Sequence, residues 1–188
     1  NPNDKIFPLP GAMAQAMWGL LFEADQLSGR LLFWADTLAS LQRLGIGLGI
    51  SSLSALFVGM MLGILPPVRA TFGMLVTAIA VIPPIALLPI LFIAFGLGET
   101  AKVALIVIGI TPFMTRDIAA HISALPREQI VKAQTLGAST WQLMLRVALP
   151  QAMPRLIQGI RLSLGPAWVF LISAEAIASD IGLGYRIF

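Results

Sequence analysis

The sequence predicts an all-α membrane protein, a polytopic bundle of helices, on three observations. Apolar residues make up 57% of the 188 positions and charged residues only 11%, with a mean hydropathy of +0.89. That is more hydrocarbon than a single soluble core of 20.1 kDa can bury. Residues 44–65 and 70–98 carry no charge over 22 and 29 positions, each longer than the about 20 apolar residues that cross a bilayer core. Basic residues also fall unevenly between alternate loops, as a multi-pass chain requires. Cysteine is absent, so no disulfide framework or thiol chemistry is available, and the single histidine, His121, makes no metal cluster. The sequence has no glycine-rich nucleotide loop and no nucleophile constellation.

Residues 7–36 come first. Apolar Leu9, Met13, Ala16, Met17, Leu20 and Leu21 recur at helical spacing around Pro10 within a mixed stretch. This predicts an external amphipathic helix on the membrane surface, or one packed against other helices of the same protein. The first span, near 44–65, pairs Gly45 with Gly49 and Gly59 with Gly63, small residues whose spacing lets helices approach closely. A tight turn at Pro66-Pro67-Val68-Arg69 leads into the second span, near 71–95, which Pro83, Pro84 and Pro89 oblige to kink or break. Carbonyls freed at such a break can line a cargo path, which makes Pro83 and Pro84 candidates; packing alone also explains a kink. The third and fourth spans, near 101–120 and 156–178, have charge-free centres of only 13 residues each, 103–115 and 162–174. They reach full length when Lys102, Arg116, Arg161 and Glu175 are included at their ends.

With alternating loops, one side holds Arg69, Arg116, Arg127, Lys132, Arg146, Arg155 and Arg161 against Asp117 and Glu128, a net +5. The other holds Lys5, Arg30, Arg43, Lys102 and Arg186 against Asp4, Glu23, Asp25, Asp36, Glu99 and Asp180, a net −1. Basic short loops stay in the cytoplasm, which puts residues 121–150 inside the cell.

Those residues are polar and change the character of the chain. Pro126 and Glu128 mark a helix start and Gly137 its end, predicting a helix over 127–136. Ser139 or Thr140 caps a second helix that runs to Leu149 and is stopped by Pro150. A stiff exposed element fixed at both ends to membrane helices suits transmission of force from a cytoplasmic motor. Its apolar residues would sit in a partner groove while polar ones hold register.

Within this stretch Val131, Lys132 and Ala133 are followed by three residues, Gly137, nine residues, Val147, one residue and Leu149-Pro150. The spacing resembles the E-A-A-x3-G-x9-I-x-L-P motif of ABC importer permeases. Three further stretches, FPLPGAMAQAMWGLL, SLQRLGIGLGISSL and RLSLGPAWVFLISAEAIASDIGLGYRIF, are similar to segments of the branch that handles nitrate, taurine and aliphatic sulfonates. The resemblance implies a type I ABC importer permease fold in a bacterial cytoplasmic (inner) membrane, this chain being the central part of a roughly six-span subunit. It implies a transport subunit without cofactor or catalysis of its own. Its partners would be ABC ATPase subunits that bind the ATP, a second permease copy or paralogue, an extracytoplasmic substrate-binding protein and membrane lipid, with no nucleic acid.

Carried over by position, the ATPase-coupling loop comprises Arg127, Glu128, Val131, Lys132, Ala133, Gly137, Val147, Leu149 and Pro150. Val131 and Lys132 stand where the motif has Glu and Ala. Glu128, one turn earlier, either substitutes for that Glu or is simply a favourable acid near a helix start. Lys132 and Arg127 add positive charge and predict an acidic motor groove. Ser173 and Glu175 join Pro83 and Pro84 as translocation-path candidates, a carboxylate between Ala174 and Ala176 being expensive in lipid. The alternative for Glu175 is a place near the outer interface, hydrated or bonded to a neighbouring helix. Arg161 lies 14 residues earlier, about 21 Å along a helix, too far to pair with it. His121 reads as a surface residue. The competing function is an ion-gradient-driven secondary transporter or channel, with Glu175 titrating and the Pro83-Pro84 break as binding site.

Overall fold

The computed structural model describes residues 10–24 and 29–187. Asp4, Lys5 and positions 7–9 and 25–28 of the external region lie outside the described residues. Helix α1 (Pro10–Phe22) opens on a proline, which a first helical turn tolerates, and carries no charged side chain. Its apolar residues surround the axis, as in a helix bathed in hydrocarbon or protein. Trp18 and Phe22 pack one turn apart, ring centroids at 4.5 Å and planes tilted by 42°.

Helix α2 (Leu32–Ile64) has 33 residues, about 50 Å at the usual rise. It extends the first span by three turns beyond the charge-free run, because Asp36, Ser40 and Arg43 are buried within it and satisfied by other helices. Helix α3 (Pro66–Ile79) follows after the single extended residue Leu65. Arg69 fixes this hairpin: its Nε donates to the carbonyl of Leu62 at 3.0 Å and its Nη2 to that of Gly63 at 2.7 Å, capping the end of α2, and Nη2 also reaches the Ser123 hydroxyl.

The chain then breaks over residues 80–83, makes a 3₁₀ turn at Pro84–Leu87 and resumes as α4 (Leu88–Phe95), the two halves bent by 85°. Proline supplies no amide and clashes with the preceding turn, so the break falls at Pro83-Pro84. It is held in place by close packing: a Cβ added at Gly109 would lie 2.6 Å from Phe170 and 3.0 Å from Pro84.

Helix α5 (Glu99–Ser123) leads to α6 (Arg127–Thr135) and α7 (Thr140–Leu143). A π turn at Met144–Ala148 joins α7 to α8 (Leu149–Ala178), and α9 (Leu183–Ile187) ends the described chain. Pro150 therefore does not stop the second helix of the loop. The wider π coil precedes it, and Pro150 occupies the first turn of α8, where a missing amide costs little.

Helices α2, α5 and α8 form the core around Leu48, Ala55, Ile106, Ile118, Ala152 and Leu171. A Cβ at Gly47, Gly59 or Gly63 would fall 2.6 to 2.9 Å from side-chain atoms of Ile106, Ile118 and Ile122. Gly59 and Gly63 thus do the packing their spacing announces, whereas Gly45 and Gly49 meet nothing within 4 Å and Gly47 takes their part. No strand occurs among the described residues.

Three helical runs are long and apolar enough to cross a membrane: Leu32–Ile64, Glu99–Ser123 and Thr140–Ala178. The bent pair passes the same test when its two halves are taken as one span. Arg69, in its first turn, is bonded to Ser123 at the loop end of α5, while Glu99, after it, is bonded to Arg43 at the far end.

Candidate functional site

Two groups of residues stand out, one at the loop end of the bundle and one at the opposite end. At the loop end, α6 finishes in a Schellman motif. The amide of Ala138 donates to the carbonyl of Ala133 at 3.0 Å and that of Gly137 to Gln134 at 2.9 Å, with Gly137 at φ +80°. Side-chain-bearing residues resist that left-handed conformation by about 1 kcal/mol, and glycine does not. Two residues on, Ser139 begins α7 with a capping box: its hydroxyl accepts from the Gln142 amide at 3.3 Å, and its own amide donates to Gln142 Oε1 at 2.9 Å. Together these fix the angle between α6 and α7 by local chemistry.

The loop is fastened to the bundle on both flanks. Arg155 of α8 grips Asp117 of α5 with a two-pronged contact, Nε to Oδ2 at 2.7 Å and Nη2 to Oδ1. Gln151 joins α8 to Gln129 of α6 at 3.1 Å, and its carbonyl meets His121 Nε2 at 3.2 Å, so His121 is half-buried between α5 and α8. Beneath the loop lies a groove of about 760 Å³ lined by Pro66, Arg69, Leu125, Ile130, Leu143 and Val147.

Arg127, Glu128, Val131, Lys132 and Gly137 are exposed; Ala133, Val147 and Leu149 are half-buried; Pro150 is exposed in the first turn of α8. The outward surface also carries Trp141 and Leu136, the latter 81% exposed, which the motif did not single out. Their signal was present as two large apolar side chains flanking a glycine in an otherwise polar stretch. No ion pair of Glu128 with Lys132 or Arg127 occurs among the described residues.

At the far end the path candidates separate. Pro83 and Pro84 sit at the break against α5, and the Ser173 hydroxyl folds back onto the carbonyl of Val169 at 2.8 Å. Glu175 is fully buried and engaged by a neighbouring helix: Ser40 Oγ donates to its two oxygens at 2.8 and 2.9 Å, and Arg43 Nη1 donates at 2.6 Å. The Gly184 amide adds a fourth bond at 2.8 Å. Glycine is required around this carboxylate, since a Cβ at Gly182 (φ +139°) would lie 2.6 Å from it and one at Gly184 would lie 2.8 Å from the Glu175 Cβ.

Arg43 turns its other side to Glu99, the first residue of α5, through Nε to Oε2 and Nη2 to Oε1 at 2.8 Å. Lys102, also buried, donates to Glu99 and to Ser179, both at 3.0 Å. Asp36 receives the Gly182 amide at 2.9 Å and pairs with Arg186. The polar stripe Asp36, Ser40, Arg43 at helical spacing was the sequence signal for this cluster. Its partners are 56 and 132 residues away from Arg43, which spacing does not reveal.

The overall helical fold is shared with solved structures. The structure is similar to that of the MetNI methionine ABC transporter in inward-facing form, with a TM-score of 0.72 at 22% identity over 82% of this chain and 77% of that one. It is also similar to an amino acid ABC transporter, at a TM-score of 0.58 and 21% identity. In sequence, the taurine transport system permease protein TauC of Escherichia coli (strain K12) is 36% identical over 82% of this chain and 56% of its own length. The bicarbonate transport system permease protein CmpB of Synechococcus elongatus is 30% identical over 83% and 56%, and the nitrate import permease protein NrtB of Leptolyngbya laminosa 26% identical over 95% and 64%. The chain thus spans between about half and two thirds of the length of these curated relatives. The model of binding-protein-dependent transport system inner membrane components matches residues 55–188, which take in the break, the loop and the buried glutamate, and the chain belongs to that family.

Proposed function

We propose that this chain is the membrane-spanning part of a permease subunit of an ATP-driven importer, and that it catalyses nothing itself. The observation that carries this reading is the segment over residues 127–150, stiffened by local caps, tied to α5 and α8, and presenting Val131, Leu136 and Trp141 outward. Such a surface suits a helix-in-groove contact with a separate ATPase, whose motion passes into the two membrane helices that flank the loop. Arg127, Lys132 and Arg146 beside the apolar residues call for an acidic groove, and Glu128 supplies the one acid of the motif region. A second permease copy or paralogue completes the pathway, and an extracytoplasmic binding protein delivers cargo.

The relatives named above handle taurine, bicarbonate and nitrate. The shared chemistry is a small polar molecule with an anionic group, and that is the cargo class proposed here. Pro83, Pro84 and Ser173 are the proposed path residues, the first two because a break in a membrane helix leaves carbonyls free to face cargo. The test is uptake into vesicles holding the whole permease, its ATPase and its binding protein. Uptake should vanish when the ATPase is inactivated; uptake that persists and follows a proton gradient would make the protein a secondary transporter.

A further inference from the structure

We infer that Arg43 is a positioning residue that clamps the far ends of α5 and α8 together, so that displacement imposed at the loop reaches both helices as one movement. The inference rests on the proposed ATP-driven function. Helix α5 enters the loop and α8 leaves it, so these two receive whatever force acts on residues 127–150. At their other ends each offers a carboxylate, Glu99 from the first turn of α5 and Glu175 from near the end of α8. A single guanidinium of α2 binds both, Nε and Nη2 on Glu99 and Nη1 on Glu175.

The same Nη1 also donates to the carbonyl of Ile181 at 2.8 Å, which adds the turn after α8 to the clamp. Guanidinium geometry is suited to this: its donors diverge in a fixed plane, which an ammonium cannot imitate. Charge is balanced within the group, Arg43 and Lys102 against Glu99 and Glu175, so the clamp holds in a low dielectric without an uncompensated ion.

The two arms differ in burial. Glu175 is fully enclosed, while the Glu99 side chain is 62% exposed. Removing Glu99 therefore frees Arg43 from α5 and leaves the buried Arg43–Glu175 pair and the Lys102–Ser179 bond in place. In proteoliposomes holding the full permease with its ATPase, partner permease and binding protein, cargo uptake and ATP hydrolysis are measured together. Glu99→Ala should keep hydrolysing ATP while uptake per ATP falls at least about fivefold, the lower end of usual coupling energies between sites. Arg43→Lys, which retains charge and loses the fork, should shift the same ratio in the same direction. An unchanged ratio in both variants overturns the clamp, and so does a parallel fall of uptake and hydrolysis. Wild-type vesicles that import without ATP would instead overturn the importer reading on which it rests.

Discussion

At the scale of single residues, Glu175 shows how one side chain can be costly in lipid and indispensable to the fold. Its four bonds come from α2 and from α9, and the glycines at 182 and 184 let backbone approach it. Deleting this carboxylate leaves the Ser40 hydroxyl, the Gly184 amide and the Nη1 arm of Arg43 without their acceptor, at about 1–3 kcal/mol for a buried group left unsatisfied. Glu175→Ala is accordingly expected to lower the thermal midpoint of the purified subunit sharply, and Gly182→Ala to do so by pushing a methyl group into the carboxylate. Glu99→Ala should change that midpoint less, because Arg43 keeps Glu175, buried Lys102 keeps its bond to Ser179, and the lost side chain faces solvent. Equal midpoints for Glu175→Ala and wild type would mean that Ser40, the Gly184 amide and Arg43 Nη1 find other acceptors. The oddity of an acid in an apolar run was legible in the sequence. Its partner was not, since Arg43 lies 132 positions away and only the packing of α2 on α8 brings them together.

Elements were legible to the degree that their causes are local. The end of α6 at Gly137 follows from one residue's freedom to adopt positive φ, and the start of α7 from a serine three positions before a glutamine. The break at Pro83-Pro84 follows from two missing amides. Continuation through Pro150 was not legible, because burial of Met144, Ala148 and Ala152 in the core keeps the coil running and proline propensity gives no hint of a π turn. The choice among glycines on α2 was hidden for the same reason: Gly45, Gly47 and Gly49 differ only in which side meets Ile106. The joint itself can be tested. Proline fixes φ near −65°, incompatible with the +80° of Gly137, so Gly137→Pro must turn α7 away from α6 without altering any charge. The expected result is ATP hydrolysis with little uptake in the reconstituted complex, and wild-type coupling in this variant would count against the joint.

For the molecule as a whole, charge sets direction. The loop end gathers Arg69, Arg116, Arg127, Lys132, Arg146, Arg155 and Arg161 against two acids, while the far end balances Arg43 and Lys102 against Glu99 and Glu175, and Arg186 against Asp36. An excess of exposed cations is retained on the cytoplasmic side of a membrane, whereas internally neutralised charges exert no such pull, so the orientation follows from the loop end alone. With that orientation and the bent pair counted as one of four crossings, we expect the chain to run from the outside at α2 to the outside again after α8. Because this sequence has no cysteine, single reporters can be introduced at exposed sites on either face, Trp141 in α7 and Ile181 after α8. A membrane-impermeant maleimide added to intact spheroplasts should label Ile181→Cys and spare Trp141→Cys, and inverted vesicles should reverse the pattern. In inverted vesicles the Trp141→Cys signal should also fall when the ATPase is added back, since the proposed groove would cover it. Labelling of Trp141→Cys from outside would reverse the molecule in the membrane and remove the loop from any contact with a cytoplasmic motor.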